Sequence, residues 1–276
     1  MMIVTNADLL LRAKKGGYAV PAFNVDNLES VLGVLNAIEK TSKSAIIQTI
    51  PRTLKYGGTA TYSALVRALY KGGADISIHL DHGGDIKTCE DCIKAGYTSV
   101  MIDGSMLDFD KNVELTKQVV ELAHSNGVSV EAELGTIGGK EETEGEIKYT
   151  EVDEAVEFVK KTGVDSLAIG VGTAHGVYKG EPHIAIDRIK EIASVVDIPL
   201  VLHGASGLSD EVIRACIDAG ISKINFATHL RQAFSEGLKK GLASDGATYD
   251  PKTYLPYAIK AVEDVATKII KLCQPE

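Results

Sequence analysis

The chain has 276 residues, 45% of them hydrophobic, and a formal net charge of −9. That length and apolar share predict one globular domain over 1–276, and the acidic balance excludes the basic footprint of a nucleic-acid binder. With no run of about 18 apolar residues, no membrane span is expected. The LLL at 9–11 is flanked by Asp8, Arg12, Lys14 and Lys15 and reads as an amphipathic helix rather than a signal peptide.

The elements follow in a regular alternation. Thr5 or Asn6 caps a first helix that stops at Gly16-Gly17, and AVPAFNV (19–25) is the first buried strand. Asn27 opens a helix with Val31, Val34, Leu35 and Ile38 on one face. SAIIQTI (44–50) is a second strand, broken by Pro51, and a helix of about 62–71 ends at Gly72-Gly73. DISIHLDH (75–82) is the third strand, followed by a helix over 85–95 and the strand SVMIDG (99–104). A helix over 111–126 ends at Gly127, and SVEAELG (129–135) is the fifth strand. Thr150, with Asp153 three residues on, precedes a helix over 151–162, and SLAIGVG (166–172) is the sixth strand. A helix over 186–195 leads to PLVLHG (199–204); Ser209 caps a helix ending at Gly220; KINFAT (223–228) is the eighth strand, and further helices close the chain.

Eight strands, each followed by a helix and each apolar on both sides, predict an α/β fold, the (β/α)8 TIM barrel. The competing fold, a doubly wound open sheet, is weakened because no G-x-G-x-x-G follows the first strand. Four cysteines are too few for a disulfide framework in a chain this long. Cys89 and Cys92 form a C-x-x-C, but they sit on or beside the apolar stripe of Ile86 and Ile93, so packed free thiols and a reducing cytoplasm are expected.

A barrel's active site lies where its strands end. Here those ends carry Asn24, Asp81, His82, Asp103, Glu133, His175, His203, Asn225 and Thr228. Polar and ionisable groups at nearly every strand end are costly to bury unless they bind something. His82, His175 and His203 taken singly are hydrogen-bonded structural histidines; taken together they are the three-imidazole set of a catalytic Zn²⁺. Asp103 and Glu133 either hold a second ion or orient the histidines. The loop at 136–149 is either a solvated connection or a lid bearing a catalytic carboxylate. Gly204, Ala205, Ser206 and Gly207 before the Ser209 cap, with NFAT (225–228), read as a phosphate cradle at strands 7 and 8.

The motifs HLDHG, SVMIDGS, VSVEAELGTIGG, GTAHGVYKGEP, LVLHGASG and KINFAT, in that order, make the chain resemble the class II, metal-dependent ketose-bisphosphate aldolases from 19 to 256. The resemblance implies that His82, His175 and His203 bind the catalytic Zn²⁺, that Asp103 and Glu133 take a second divalent metal, and that Asp81 protonates the aldehyde-derived oxygen. It implies that Glu141 moves the proton at C3 of the triose. Asn24, Gly176, Gly204, Ala205, Ser206, Asn225, Phe226, Ala227 and Thr228 would bind substrate, with Na⁺ or K⁺ at the phosphate. The implied reaction is reversible cleavage of fructose or tagatose 1,6-bisphosphate to dihydroxyacetone phosphate and glyceraldehyde 3-phosphate by a cytoplasmic homodimer or homotetramer. Cleavage leaves an enediolate whose charge Zn²⁺ stabilises as a Lewis acid, in place of a Schiff-base lysine.

Departures from the family bear on the sugar. Ala227 and His229 lean toward the tagatose branch, and GVYKGEP leans toward the fructose branch. After DP, where the family commonly has Arg-Lys, this chain has Lys252-Thr253, so the arginine that the resemblance implies at the distal phosphate is not matched. Two other classes compete. A metallohydrolase would show H-x-H on the first strand, which reads FNV, and a non-catalytic sugar-phosphate sensor has no use for the acid and the lid carboxylate.

Overall fold

A computed structural model describes residues 2–136, 138, 148–174, 176, 182–244 and 249–275. Eight parallel strands close into a barrel in chain order, with β1 also paired to β8. They are β1 (Val20–Asn24), β2 (Ala45–Thr49), β3 (Ile76–Gly83), β4 (Ser99–Ile102), β5 (Ser129–Leu134), β6 (Ser166–Ile169), β7 (Leu200–Leu202) and β8 (Ile221–Phe226). The (β/α)8 architecture predicted from the alternation is therefore the observed one.

The helices are α1 (Asn6–Gly16), α2 (Leu28–Thr41), α3 (Pro51–Gly57), α4 (Thr59–Leu69), α5 (Ile86–Lys94) and α6 (Phe109–His124), followed by α7 (Val152–Thr162), α8 (Ile186–Val195), α9 (Asp210–Asp218), α10 (Thr228–Leu242) and α11 (Pro251–Cys273). Thr5 caps α1 in a capping box with Asp8, and Asn27 and Ser209 cap α2 and α9 as their sequences predict. One local expectation gains a detail and another fails. Pro51 does not merely end a strand; it is the first residue of α3, where its missing N–H costs nothing. Thr150 does not cap α7: Glu151 holds that position, and the Thr150 hydroxyl donates to Leu134 O at 2.6 Å, tying the β5 end to the approach of α7.

The apolar core lies between the strands and the helical ring, while α1 closes the barrel floor by packing Leu9, Leu10 and Ala13 on Val20, Ala22 and Ile46. At burial of roughly 25 cal/mol per Å² of apolar surface, this shell is the dominant stabilising term. It includes all four cysteines, which are free and buried. α2 and α11 approach so closely at Gly33 that a Cβ there would lie 2.7 Å from Val262 Cβ. Inside the barrel the usual branched aliphatics give way to polar residues: Gln48, Ser77, His79, Ser99, Glu131 and Lys223 are all fully buried.

Candidate active site

β3 supplies two consecutive residues to one place, which a regular strand cannot do because side chains alternate between faces. The β3–β4 register shifts between Leu80 and Gly83, and His82 adopts φ 52, the left-handed region. This bulge turns His82 to the same side as Asp81.

Asp81 is 3% exposed and held from two sides. Asn24 Nδ2 donates to its Oδ2 at 2.9 Å and Asn225 Nδ2 to its Oδ1 at 3.0 Å. Gln48 Nε2 donates to Asn24 Oδ1 at 2.9 Å, which orients the Asn24 amide with its N–H toward Asp81. Burial opposes the charged form of Asp81, but the nearby charge of His82, His203 and Lys223 and the Asn24 hydrogen bond outweigh it, and its pKa lies well below the usual carboxylate range. Asp81 is thus an ionised acceptor at rest.

His82 and His203 share a pattern: one ring nitrogen is anchored on a carboxylate and the other is turned toward its neighbour. His82 Nδ1 lies 2.8 Å from Asp103 Oδ2, whose other oxygen accepts from the Ser105 hydroxyl at 2.6 Å. His203 Nε2 lies 2.9 Å from Glu131 Oε1. The remaining nitrogens, His82 Nε2 and His203 Nδ1, face each other at 3.1 Å. Two imidazole nitrogens at that distance need a positive charge between them, a proton or a metal ion. Burial works against a charged His203, but its hydrogen bonds to Glu131 and Glu133 and the charge of Glu131 and Asp81 prevail, raising its pKa to about 9.

The residues fit a divalent metal. Asp81, His82 and His203 form one group, and His82, Asp103 and Glu133 a second, in each of which the ligand atoms lie within 4.8 Å of one another. The carboxylate behind each histidine is the arrangement that fixes an imidazole's tautomer at metal centres. His175 and Glu141 lie outside the described residues, as does most of the 136–149 loop.

A cavity of 390 Å³ opens over this group and is lined by Asn24, Asp81, His82, Asp103, Gly176, Gly204, Ser206, Asn225, Ala227 and Thr228. Most of the substrate residues expected from the sequence thus share one wall. Gly204 is required there: at φ 68, a Cβ would stand 2.6 Å from Ala174 O. Asn225 Oδ1 is buried without a hydrogen-bond partner, an acceptor available to a ligand hydroxyl or cation. Four expected residues among the described ones do not line the cavity, and His203, fully buried, is the first of them. Ala205 and Phe226 are fully buried in the core, Phe226 lying 6.2 Å from the Phe23 ring centroid, and Glu133 Oε2 lies 3.4 Å from His203 Nδ1, the nitrogen that faces His82. Ala205 and Phe226 thus offer no side-chain surface to the cavity, whereas Glu133 stays within the second group of possible metal ligands.

Sequence reasoning missed the barrel floor. Lys223 Nζ lies 3.1 and 2.8 Å from the two oxygens of Glu131, both residues fully buried, directly beneath His203. Burial would raise Glu131, but Lys223, the His203 hydrogen bond and His79 bring it down to about 2. Lys223 is an interior lysine, yet it lies two residues below the Asn225 level and is paired, not at the mouth. The signal was available: E-A-E and K-I-N put Glu131 and Lys223 one strand period below Glu133 and Asn225. Arg52 and Arg231, which also line the cavity, were missed as well.

A profile described as "Fructose-bisphosphate aldolase class-II" matches residues 4–276. The D-tagatose-1,6-bisphosphate aldolase subunit GatY of Klebsiella oxytoca is 42% identical over 278 residues, covering 99% of this chain and 98% of that protein. Among solved structures, the YdjI aldolase of Escherichia coli K12 superposes with a TM-score of 0.89 at 34% identity, covering 99% of this chain and 97% of that one. A putative fructose-1,6-biphosphate aldolase from Coccidioides immitis superposes with a TM-score of 0.87 at 27% identity, covering 97% and 95%.

Proposed function

Since this chain belongs to the class II fructose-bisphosphate aldolase family and is an aldolase, we propose that it reversibly cleaves a ketose 1,6-bisphosphate into dihydroxyacetone phosphate and glyceraldehyde 3-phosphate, with residues 1–276 acting as one domain. The observation that carries this reading is the ionised Asp81, clamped between Asn24 and Asn225 beside His82 and His203. Tagatose 1,6-bisphosphate is placed ahead of fructose 1,6-bisphosphate, supported by the 42% identity to a tagatose-bisphosphate aldolase subunit and by Ala227 and His229 after Asn225.

In the cleavage direction Asp81 takes the proton of the C4 hydroxyl as the C3–C4 bond breaks; in the reverse direction it returns that proton to the aldehyde oxygen. A base must be ionised before the step, and its lowered pKa provides this. The two amides keep its oxygens from rotating away. His82 and His203, with His175, would hold Zn²⁺, and Asp103 and Glu131 fix the tautomers that turn their ligand nitrogens inward. When bound, Zn²⁺ supplies a Lewis acid that stabilises the negative charge left on the triose half. Glu141 would carry the proton at C3, and Asp103 with Glu133 would take a second divalent ion. Gly176, Gly204, Ser206, Asn225, Ala227 and Thr228 would seat the first phosphate, with an alkali cation beside it.

Among the described residues no helix is long and apolar enough to cross a membrane. The free thiols support a reducing cytoplasmic setting, and family membership supports a homodimer or homotetramer. The deciding experiment measures triose-phosphate release from the two sugars side by side, with and without a chelator. Chelator-sensitive cleavage is expected, with the higher kcat/KM on tagatose 1,6-bisphosphate. Release of no triose phosphate from either sugar by the zinc-loaded protein would overturn the reading.

A further inference from the structure

A second cavity, of 570 Å³, abuts the catalytic one and runs outward between the start of α2, α3 and α10. Asn24, Ile50, Arg52 and Arg231 line both, so the two form one groove with two guanidiniums at the junction. The inner part already contains Asp81, His82 and the phosphate cradle. The outer part is lined in addition by Leu230 and Phe234, surfaces that catalysis on the triose half does not use.

The two guanidiniums at the junction are held differently. Arg231 is committed: its Nε donates to Asp26 Oδ2 at 2.7 Å and its Nη2 to Oδ1 at 3.2 Å. Thr53 Oγ1 donates to the same Asp26 Oδ1 at 2.7 Å, which fixes the acid and through it the arginine. Arg52 is exposed and has no side-chain hydrogen bond or ion pair among the described residues, although its charge helps to lower the Asp26 pKa. Asp26 thus occupies one edge of Arg231 alone, and the Arg52 donors stay uncommitted at the junction. A guanidinium fork matches the oxygens of a phosphate, and Asp26 uses only one edge of Arg231.

We propose that Arg52, with Arg231 held beside it by Asp26, is the subsite for the phosphate at the far end of the ketose, the one that leaves on the aldehyde half. This rests on the reading that the first phosphate occupies the strand 7–8 cradle. It supplies from α3 and α10 the distal-phosphate contact that Lys252-Thr253 leaves open, and makes Arg52 a determinant of bisphosphate over monophosphate selection.

The test uses the zinc-loaded full chain, Arg52→Gln and Arg52→Lys. The first readout is the ratio of kcat/KM for fructose and tagatose 1,6-bisphosphate to that for fructose 1-phosphate. The ratio falls about tenfold or more in Arg52→Gln, with Arg52→Lys between; an unchanged ratio in an enzyme that cleaves the bisphosphates overturns the subsite and leaves the aldolase reading standing. The second readout is the calorimetric dissociation constant of glyceraldehyde 3-phosphate, which needs no turnover. It weakens about tenfold in Arg52→Gln, whereas equal binding by both proteins, or none by the parent, overturns the subsite even if neither sugar is cleaved. Because Arg52 is exposed and unpaired, both variants fold, and an unchanged melting temperature verifies this.

Discussion

The barrel holds two histidine–carboxylate pairs at adjacent levels, and they behave oppositely. At the mouth, His82 leans on Asp103 and presents its other nitrogen to a cavity. One level down, His79 sits 3.6 Å from Glu131 Oε2 and 2.9 Å from Ser99 Oγ, fully buried. Burial, reinforced by Lys223, lowers His79 to about 3, so it stays neutral, away from the cavity that His82 faces. The residue types are nearly the same; what separates a working pair from a structural one is access and the sign of the surrounding charge. Glu131 links the levels, since it accepts from Lys223 below and His203 above.

The sharpest way to break the comparison is Asp81→Asn. It removes the carboxylate proposed as the base while keeping its shape, so triose-phosphate release is expected to fall by about 10²–10⁴, with zinc per chain unchanged by elemental analysis. A variant that turns over at the parental rate removes the role given to Asp81. Glu131→Gln strikes the link instead. It leaves Lys223 as a buried charge without its counterion, and a loss of about 3–5 kcal/mol is expected in urea unfolding, together with weaker zinc retention against a competing chelator. If stability falls and zinc affinity does not, the two levels are independent and Glu131 serves only the floor.

Acidification sharpens the contrast further. His79 has an ordinary value of 6.5 when unfolded and about 3 when folded, so the unfolded chain binds the proton first. Its contribution to stability is complete above 6.5 and is lost as the pH falls toward 3. The melting temperature of metal-free protein is expected to drop across that window, and His79→Gln to flatten the drop; an equal slope in both would place the acid sensitivity elsewhere. The smallest effect concerns the outer shell. Burial raises Cys89, Cys92, Cys216 and Cys273 to about 12, so a thiol-labelling disulfide at pH 8 should modify none of them before the chain is unfolded. Labelling of the native protein would mean that the helical ring opens locally.

How legible this was in the sequence depends on range. The order of strands and helices follows from apolar runs and glycine stops, and the strand ends read from them carry Asp81, His82 and His203. The pairing of Lys223 with Glu131 spans 92 residues and exists only once the barrel closes. Its parts could be placed on the inner face by their spacing, but not paired. α3 is seven residues long, too short for periodicity to announce, and Arg52 enters the groove only because that helix starts at Pro51. Phe226 shows the converse: a motif places a residue near a site without saying which way its side chain points, and here it points into the core.

The left-handed backbone at His82 has a consequence for any attempt to make this protein hardier. A non-glycine residue at φ 52 costs on the order of 1 kcal/mol or more, and the surrounding barrel must supply it. His82→Gly would relieve that cost and discard a proposed metal ligand in the same step. If His82 holds the metal as proposed, breeding for heat tolerance without an assay for turnover would favour an inert descendant.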